Sequence, residues 1–220
     1  VLSKASVVLY KENVFKFKHF EWGSEYYIRN GQMMPDDALD QLSEFDSILL
    51  GAIGHPSVPD HITLNGLLLP IRRKFDQYVS VRPCYLWKGT NSVLKNNNDL
   101  DFVIIRENSE GEYANLGGFV HLDNDYATSI QTALFTKQGC LRIIKYAFEY
   151  AKRRGNRSKV TSITKSNAQA YGMVMWDNCF KEVSKDYPDI ETESLLVDAA
   201  CMDLVRRPET FDVIVASNLF

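Results

Sequence analysis

The chain has 220 residues, 45% hydrophobic and 24% charged, long enough to bury a core without disulfides or metals and ordinary for a globular protein. Its 25 Lys and Arg against 28 Asp and Glu leave a formal net charge of −3, the wrong sign for a chain whose main work is neutralising nucleic-acid phosphates. Apolar runs such as Leu67-Leu68-Leu69 are far too short to span a bilayer.

Cys84, Cys140, Cys179 and Cys201 include no CxxC pair, so neither a zinc knuckle nor a disulfide framework is expected. A reducing compartment follows: the cytoplasm first, with the mitochondrial matrix as the alternative. Val1-Leu2-Ser3-Lys4 has neither an initiator Met nor a secretory pattern.

In chain order, residues 14–21 read as a strand of imperfect period two, with Phe15, Phe17 and His19 on one face. Gly23 and Asn30-Gly31 punctuate the chain, and Pro35-Asp36-Asp37 opens a short helix, its acids facing the positive end of the dipole. Residues 46–53 follow as a nearly continuous apolar strand of the kind covered on both faces. Residues 76–81 and 101–105 are further strands, and 88–98, with Asn96-Asn97-Asn98, is a loop or domain crossing.

The most secure helix covers 136–154, where Leu141, Ile144, Phe148 and Ala151 recur at helical spacing and Gly155-Asn156 stops it. After it come a strand at 159–164, a helix at 171–185, a strand at 193–197, a helix at 199–206 and a strand at 212–216. Alternating strands and helices imply an α/β fold with a largely parallel sheet and flanking helices.

Arg72, Arg82 and Arg106 are the basic residues that stand out by position. Guanidinium groups hold carboxylates in a bidentate fork, so three in one cleft suit a substrate with two or more carboxylates; the alternative is three surface ion pairs. Lys165 follows an apolar strand, where α/β sheets bind ligands, and reads either as a general base or as an exposed loop lysine. Asp198, similarly placed, is either one oxygen ligand of Mg²⁺ or Mn²⁺ or a helix N-cap. Tyr113 could relay a proton or merely pack its ring.

Gly51-Ala52-Ile53-Gly54 could let a cofactor approach the backbone or could be a plain turn, since it lacks the GxGxxG pattern. His55 and His61 lack helical ligand spacing and read as loop residues. Lys16-Phe17-Lys18-His19-Phe20 reads as an edge strand rather than a base-stacking platform.

Phe45-Asp46 through Gly54, Val58-Pro59-Asp60-His61-Ile62-Thr63-Leu64-Asn65-Gly66-Leu67-Leu68-Leu69-Pro70-Ile71-Arg72, and Phe75-Asp76-Gln77-Tyr78 through Val81-Arg82-Pro83 together resemble the isocitrate/isopropylmalate dehydrogenase superfamily. Within it the likeness is to the tartrate dehydrogenase and D-malate dehydrogenase (decarboxylating) group. Residues 106–113, Thr164-Lys165-Ser166-Asn167 and Val197-Asp198-Ala199 fall in the family's order, so the resemblance covers 14–220.

It implies that Arg72, Arg82 and Arg106 hold the carboxylates of a small 2-hydroxy diacid. Lys165 would assist removal of the C2 hydroxyl proton, and Tyr113 would handle the proton at C3. Asp198 would be one ligand of Mg²⁺ or Mn²⁺, while Gly54 and Asn167 lie near the nicotinamide of NAD. Lys165 and Asp198 would serve a partner's cleft, which makes a homodimer part of the mechanism. Residues 1–84 would belong to the large cofactor-side domain and 85–220 mainly to the small dimerisation domain.

The resemblance also implies departures. Asn65 stands where a tryptophan is expected. The family's opening GDGIG-like loop is not found before Val14, and its Gly-Asp-x-x-x-Asp would follow Phe220, so the sequence reads as a fragment, inactive alone. A non-catalytic paralogue of the same fold that binds metabolites or a partner is the competing expectation. A plain isopropylmalate or isocitrate dehydrogenase is disfavoured by the segment 58–72.

Overall fold

The computed structural model describes residues 1–94 and 100–220 and divides into two compact units, Val1–Lys74 and Phe75–Phe220. Asn96-Asn97-Asn98 of the expected loop lies outside the described residues.

The first unit contains the helices α1 (Leu2–Tyr10), α2 (Ser24–Asn30), α3 (Ala38–Leu42), α4 (Asp60–Thr63) and α5 (Leu69–Lys74), with a π-helical turn, Leu64–Leu68, joining the last two. That turn has a local cause. Pro70 lacks the N–H an α-helix would use and its ring crowds the preceding turn, and a wider i→i−5 turn absorbs the conflict, with Leu69 N–H donating to Leu64 C=O. Gly66 is required within it, because a Cβ there would lie 2.5 Å from Met33 Cγ. Met33, Ala38, Leu42, Val58, Leu67, Leu69 and Ile71 form the buried hydrophobic side chains of this unit.

Two expectations fail here. Residues 14–21 and 46–53 form no strand, and Leu49 and Leu50 are exposed rather than covered on both faces. A strand needs a neighbour for its backbone donors and acceptors, and among the described residues of this unit no named strand offers one. Phe20 instead stacks on Trp22 and meets Phe45 edge-on.

The second unit contains β1 (Val79–Tyr85), β2 (Asp101–Glu107), β3 (Gly111–Val120), β4 (Thr128–Leu134), α6 (Lys137–Arg154), β5 (Lys159–Thr164), α7 (Gly172–Ser184), β6 (Glu191–Leu196), α8 (Val197–Arg206) and β7 (Val213–Ala216). Five strands form a sheet in the order β1-β2-β7-β5-β6. Only β1 is antiparallel to its neighbour. The expected α/β fold with a largely parallel sheet is therefore present.

Alternation along the strands builds two cores. Val103, Ile105, Val160, Val213 and Val215 face α6 and α7, while Phe102, Ile163, Ile214 and Ala216 face the α8 side with Ala200 and Phe211. In α6, Ile143, Ile144, Ala147, Phe148 and Ala151 are fully buried, each large one contributing about 1.5–3 kcal/mol. Thr136 Oγ1 caps its start by accepting from Gly139 N–H at 2.9 Å, and Gly155 ends it with φ 59°.

β3 and β4 form a separate antiparallel hairpin with largely exposed side chains. All four cysteines are free thiols. Burial pushes the Cys140 thiol up to about 12, which keeps it unreactive. No described helix is long and apolar enough to cross a membrane.

Candidate active site

Because β2, β7, β5 and β6 run parallel, their carboxyl ends share one edge, the edge at which α/β sheets bind ligands. Arg106 lies near the end of β2, Ser217-Asn218 follows β7, Lys165 follows β5, and Asp198 follows β6. Arg106 and Lys165 are two strand positions apart, about 10 Å.

Arg82 is opposite Ile104, and Arg106 is opposite Ser80. The two arginines are thus diagonal neighbours on one face, about 7–8 Å apart. Arg82 is exposed on the edge strand beside Pro83, where a missing N–H disturbs the ladder least.

Arg106 is only 9% exposed. Its Nη1 donates to the Asn218 carbonyl at 3.2 Å and its Nη2 to Asn108 Oδ1 at 2.9 Å. Glu107, also buried, shapes the following turn by accepting from Ser109 N–H, Ser109 Oγ and Glu110 N–H. Glu110 accepts from Thr136 N–H and Oγ1, tying this turn to the start of α6. Arg142 adds a third tie, donating to Ser109 Oγ and Asp76 and lying over the Tyr78 ring. Tyr113 is half-buried at the base of the hairpin, outside the five-stranded sheet.

Lys165 Nζ donates to the Asp198 carboxylate, their side chains 27% and 67% exposed. This hydrogen bond holds the Asp198 carboxyl below its ordinary range. Asp198 lies within the first turn of α8, whose N-cap is Leu196, so the N-cap alternative does not hold and the carboxylate instead faces the positive helix end. Asn167 is exposed in the turn held by Ala168 and Gln169 N–H groups on the Lys165 carbonyl.

Arg72 and Gly54 belong to the other unit. Arg72 is half-buried in α5, and Gly54 has φ +123° with open space where a Cβ would stand. The second unit therefore gathers Arg106, Lys165 and Asp198 at one edge, with Arg82 beside Arg106.

Asn108, Glu110, Arg142 and Asn218 were not evident in the sequence. The polar run after β2 was a signal for the first two; nothing local marks Arg142 or the buried Asn218.

The family described as isocitrate/isopropylmalate dehydrogenase matches residues 1–220. A probable tartrate dehydrogenase/decarboxylase from Agrobacterium vitis is 50% identical over 202 residues, covering 91% of this chain and 56% of the relative. The D-malate dehydrogenase [decarboxylating] of Escherichia coli is 48% identical over 208 residues, covering 93% of this chain and 57% of the relative. The crystal structure of isocitrate dehydrogenase from Methylococcus capsulatus superposes with a TM-score of 0.80 at 31% identity, covering 90% of this chain and 56% of that one. The chain thus spans a little over half the length of these relatives.

Proposed function

Because the chain belongs to the isocitrate/isopropylmalate dehydrogenase family, we propose that the protein containing it is an oxidoreductase acting on a small 2-hydroxy dicarboxylic acid such as tartrate or D-malate. NAD is the proposed hydride acceptor and Mg²⁺ or Mn²⁺ the proposed cation, with or without loss of CO₂. The register that sets Arg82 and Arg106 on one face carries this reading. Two guanidinium groups that close suit a dianion and gain little from a neutral substrate. Likeness to enzymes named for tartrate and D-malate supports the same substrate class.

Arg72, Arg82 and Arg106 are proposed to hold the carboxylates. Bound NAD⁺ would supply the hydride acceptor; Lys165 would take the C2 hydroxyl proton, and where CO₂ is lost Tyr113 would return a proton to C3. Gly54 and Asn167 are proposed contacts of the nicotinamide end. The open space at Gly54 fits a close backbone approach.

The described residues do not make up a cation site by themselves. No three of His, Cys, Asp and Glu gather among them, whereas Mg²⁺ takes six oxygens. Asp198 is proposed as one ligand of a shared site.

Sharing between copies has a further support. Lys165 is about 10 Å from Arg106 along the edge and is paired with Asp198 in the first turn of α8, which follows β6 on the far side of β5. In the proposed homodimer, Lys165 and Asp198 of one copy serve the arginines of the other. Residues 1–84 would lie in the cofactor-side domain and 85–220 mainly in the dimerisation domain.

The test is NADH formation by the purified full-length gene product with NAD⁺, Mn²⁺ and either D-malate, a tartrate or 3-isopropylmalate. Turnover of D-malate or tartrate is expected. No NADH with any of them would favour a non-catalytic paralogue.

A further inference from the structure

We propose that Asn108 is a positioning residue that sets the direction in which Arg106 presents its guanidinium, and with it the affinity of this sheet edge for a carboxylate. The inference rests on the proposed role of Arg106 and names what aims it.

An arginine has several rotatable bonds, and freezing them on binding weakens affinity. A guanidinium oriented beforehand avoids that loss. Arg106 is held by two acceptors on different segments: Asn108 Oδ1 on Nη2 at 2.9 Å and the Asn218 carbonyl on Nη1 at 3.2 Å. Two contacts from separate directions fix the plane of the fork, and that plane decides whether a carboxylate meets it in bidentate fashion.

Both acceptors are themselves anchored. Asn108, 6% exposed, donates from Nδ2 to the Gln77 carbonyl at 2.8 Å. Only the oxygen of an amide accepts, so this second bond settles which end of the side chain faces Arg106. Asn218, 1% exposed, donates from Nδ2 to the Glu110 carbonyl at 2.8 Å, which steadies the backbone that accepts from Nη1.

The choice of an amide has a consequence for charge. Asn108 orients Arg106 without adding a negative charge of its own. An aspartate would have nearly the same shape and keep the acceptor oxygen, but it would supply the charge that the substrate is meant to supply.

The experiment compares wild-type full-length protein with Asn108→Asp and Asn108→Ala, measuring D-malate binding by titration calorimetry and then KM and kcat with NAD⁺ and Mn²⁺. Thermal midpoints identify the conditions in which each variant is folded. The dissociation constant is expected to rise about tenfold or more in Asn108→Asp and about three- to tenfold in Asn108→Ala. KM should follow it, with kcat within about threefold of wild type, the signature of lost uniform binding. If Asn108→Ala does not fold, the isosteric Asn108→Asp decides. A folded Asn108→Asp that binds D-malate as wild type does overturns the inference while leaving the proposed function intact. A wild type that binds no D-malate and turns over no diacid overturns both.

Discussion

Lys165 and Asp198 stand at the ends of adjacent parallel strands, β5 and β6, and close an ion pair between them. The bond lowers the Asp198 carboxyl below its ordinary 3.8. A carboxyl depressed on folding contributes stability above its unfolded value and loses it as pH falls through the lower folded value. Replacing Lys165 with Met should move Asp198 back toward its ordinary titration and leave the thermal midpoint nearly unchanged, since exposed pairs add little. Carbon-detected NMR titration of Asp198 checks this. In the full-length protein the same change should lower kcat by about 10²–10⁴.

Trp176 Nε1 donates to Ser162 Oγ at 2.9 Å, with both residues fully buried between α7 and β5. Ser162→Ala strands the indole N–H away from water and should cost about 1–3 kcal/mol. Urea unfolding measures the loss; an unchanged midpoint would mean the indole finds another acceptor.

Asp212, with no exposed side-chain surface, accepts from Arg154 Nε at 2.8 Å and from the backbone N–H of Arg157 at 3.1 Å. Removing it breaks a largely buried pair and releases the turn before β5. Asp212→Ala should destabilise by about 3–5 kcal/mol, far more than loss of the exposed Lys74–Asp40 pair. Parallel denaturation of Asp212→Ala and Asp40→Ala makes the comparison.

Tyr187 stacks on Phe148 and donates to Glu149 Oε1 at 2.6 Å. Burial first, and the Glu149 bond second, push its phenol up to about 12. A raised value means a contribution present below the unfolded pKa of about 10 and lost as pH rises toward 12. Tyr187→Phe should therefore show a smaller alkaline loss of stability than wild type. Denaturant midpoints at a series of alkaline pH values reveal it, and parallel curves would exclude this contribution.

What the sequence disclosed followed the range of each signal. The helix α6 was readable because its apolar spacing, the Thr136 cap and Gly155 all lie within its own span. The inner strands were readable because both faces are covered and their runs are apolar. Residues 14–21 and 46–53 carry strand-like patterns, but pairing depends on a distant neighbour that a local pattern cannot supply.

Pro70 lies inside helical backbone at Leu69–Lys74, and the π turn before it accommodates its ring. The β3–β4 hairpin escaped notice because its exposed apolar residues do not alternate. Arg106, Lys165 and Asp198 each sit at a strand end, which the sequence marks. Asn218 gains its place only through partners more than a hundred positions away.

The most direct test compares kcat/KM of the full-length protein for D-malate and for D-2-hydroxybutyrate, which replaces the distal carboxylate with a methyl group. A site whose arginines are built to grip that carboxylate should favour the diacid by about 10⁴-fold or more, with NADH as the readout. Equal turnover of the two acids, or NADH from neither, would contradict a dicarboxylate grip on this sheet edge.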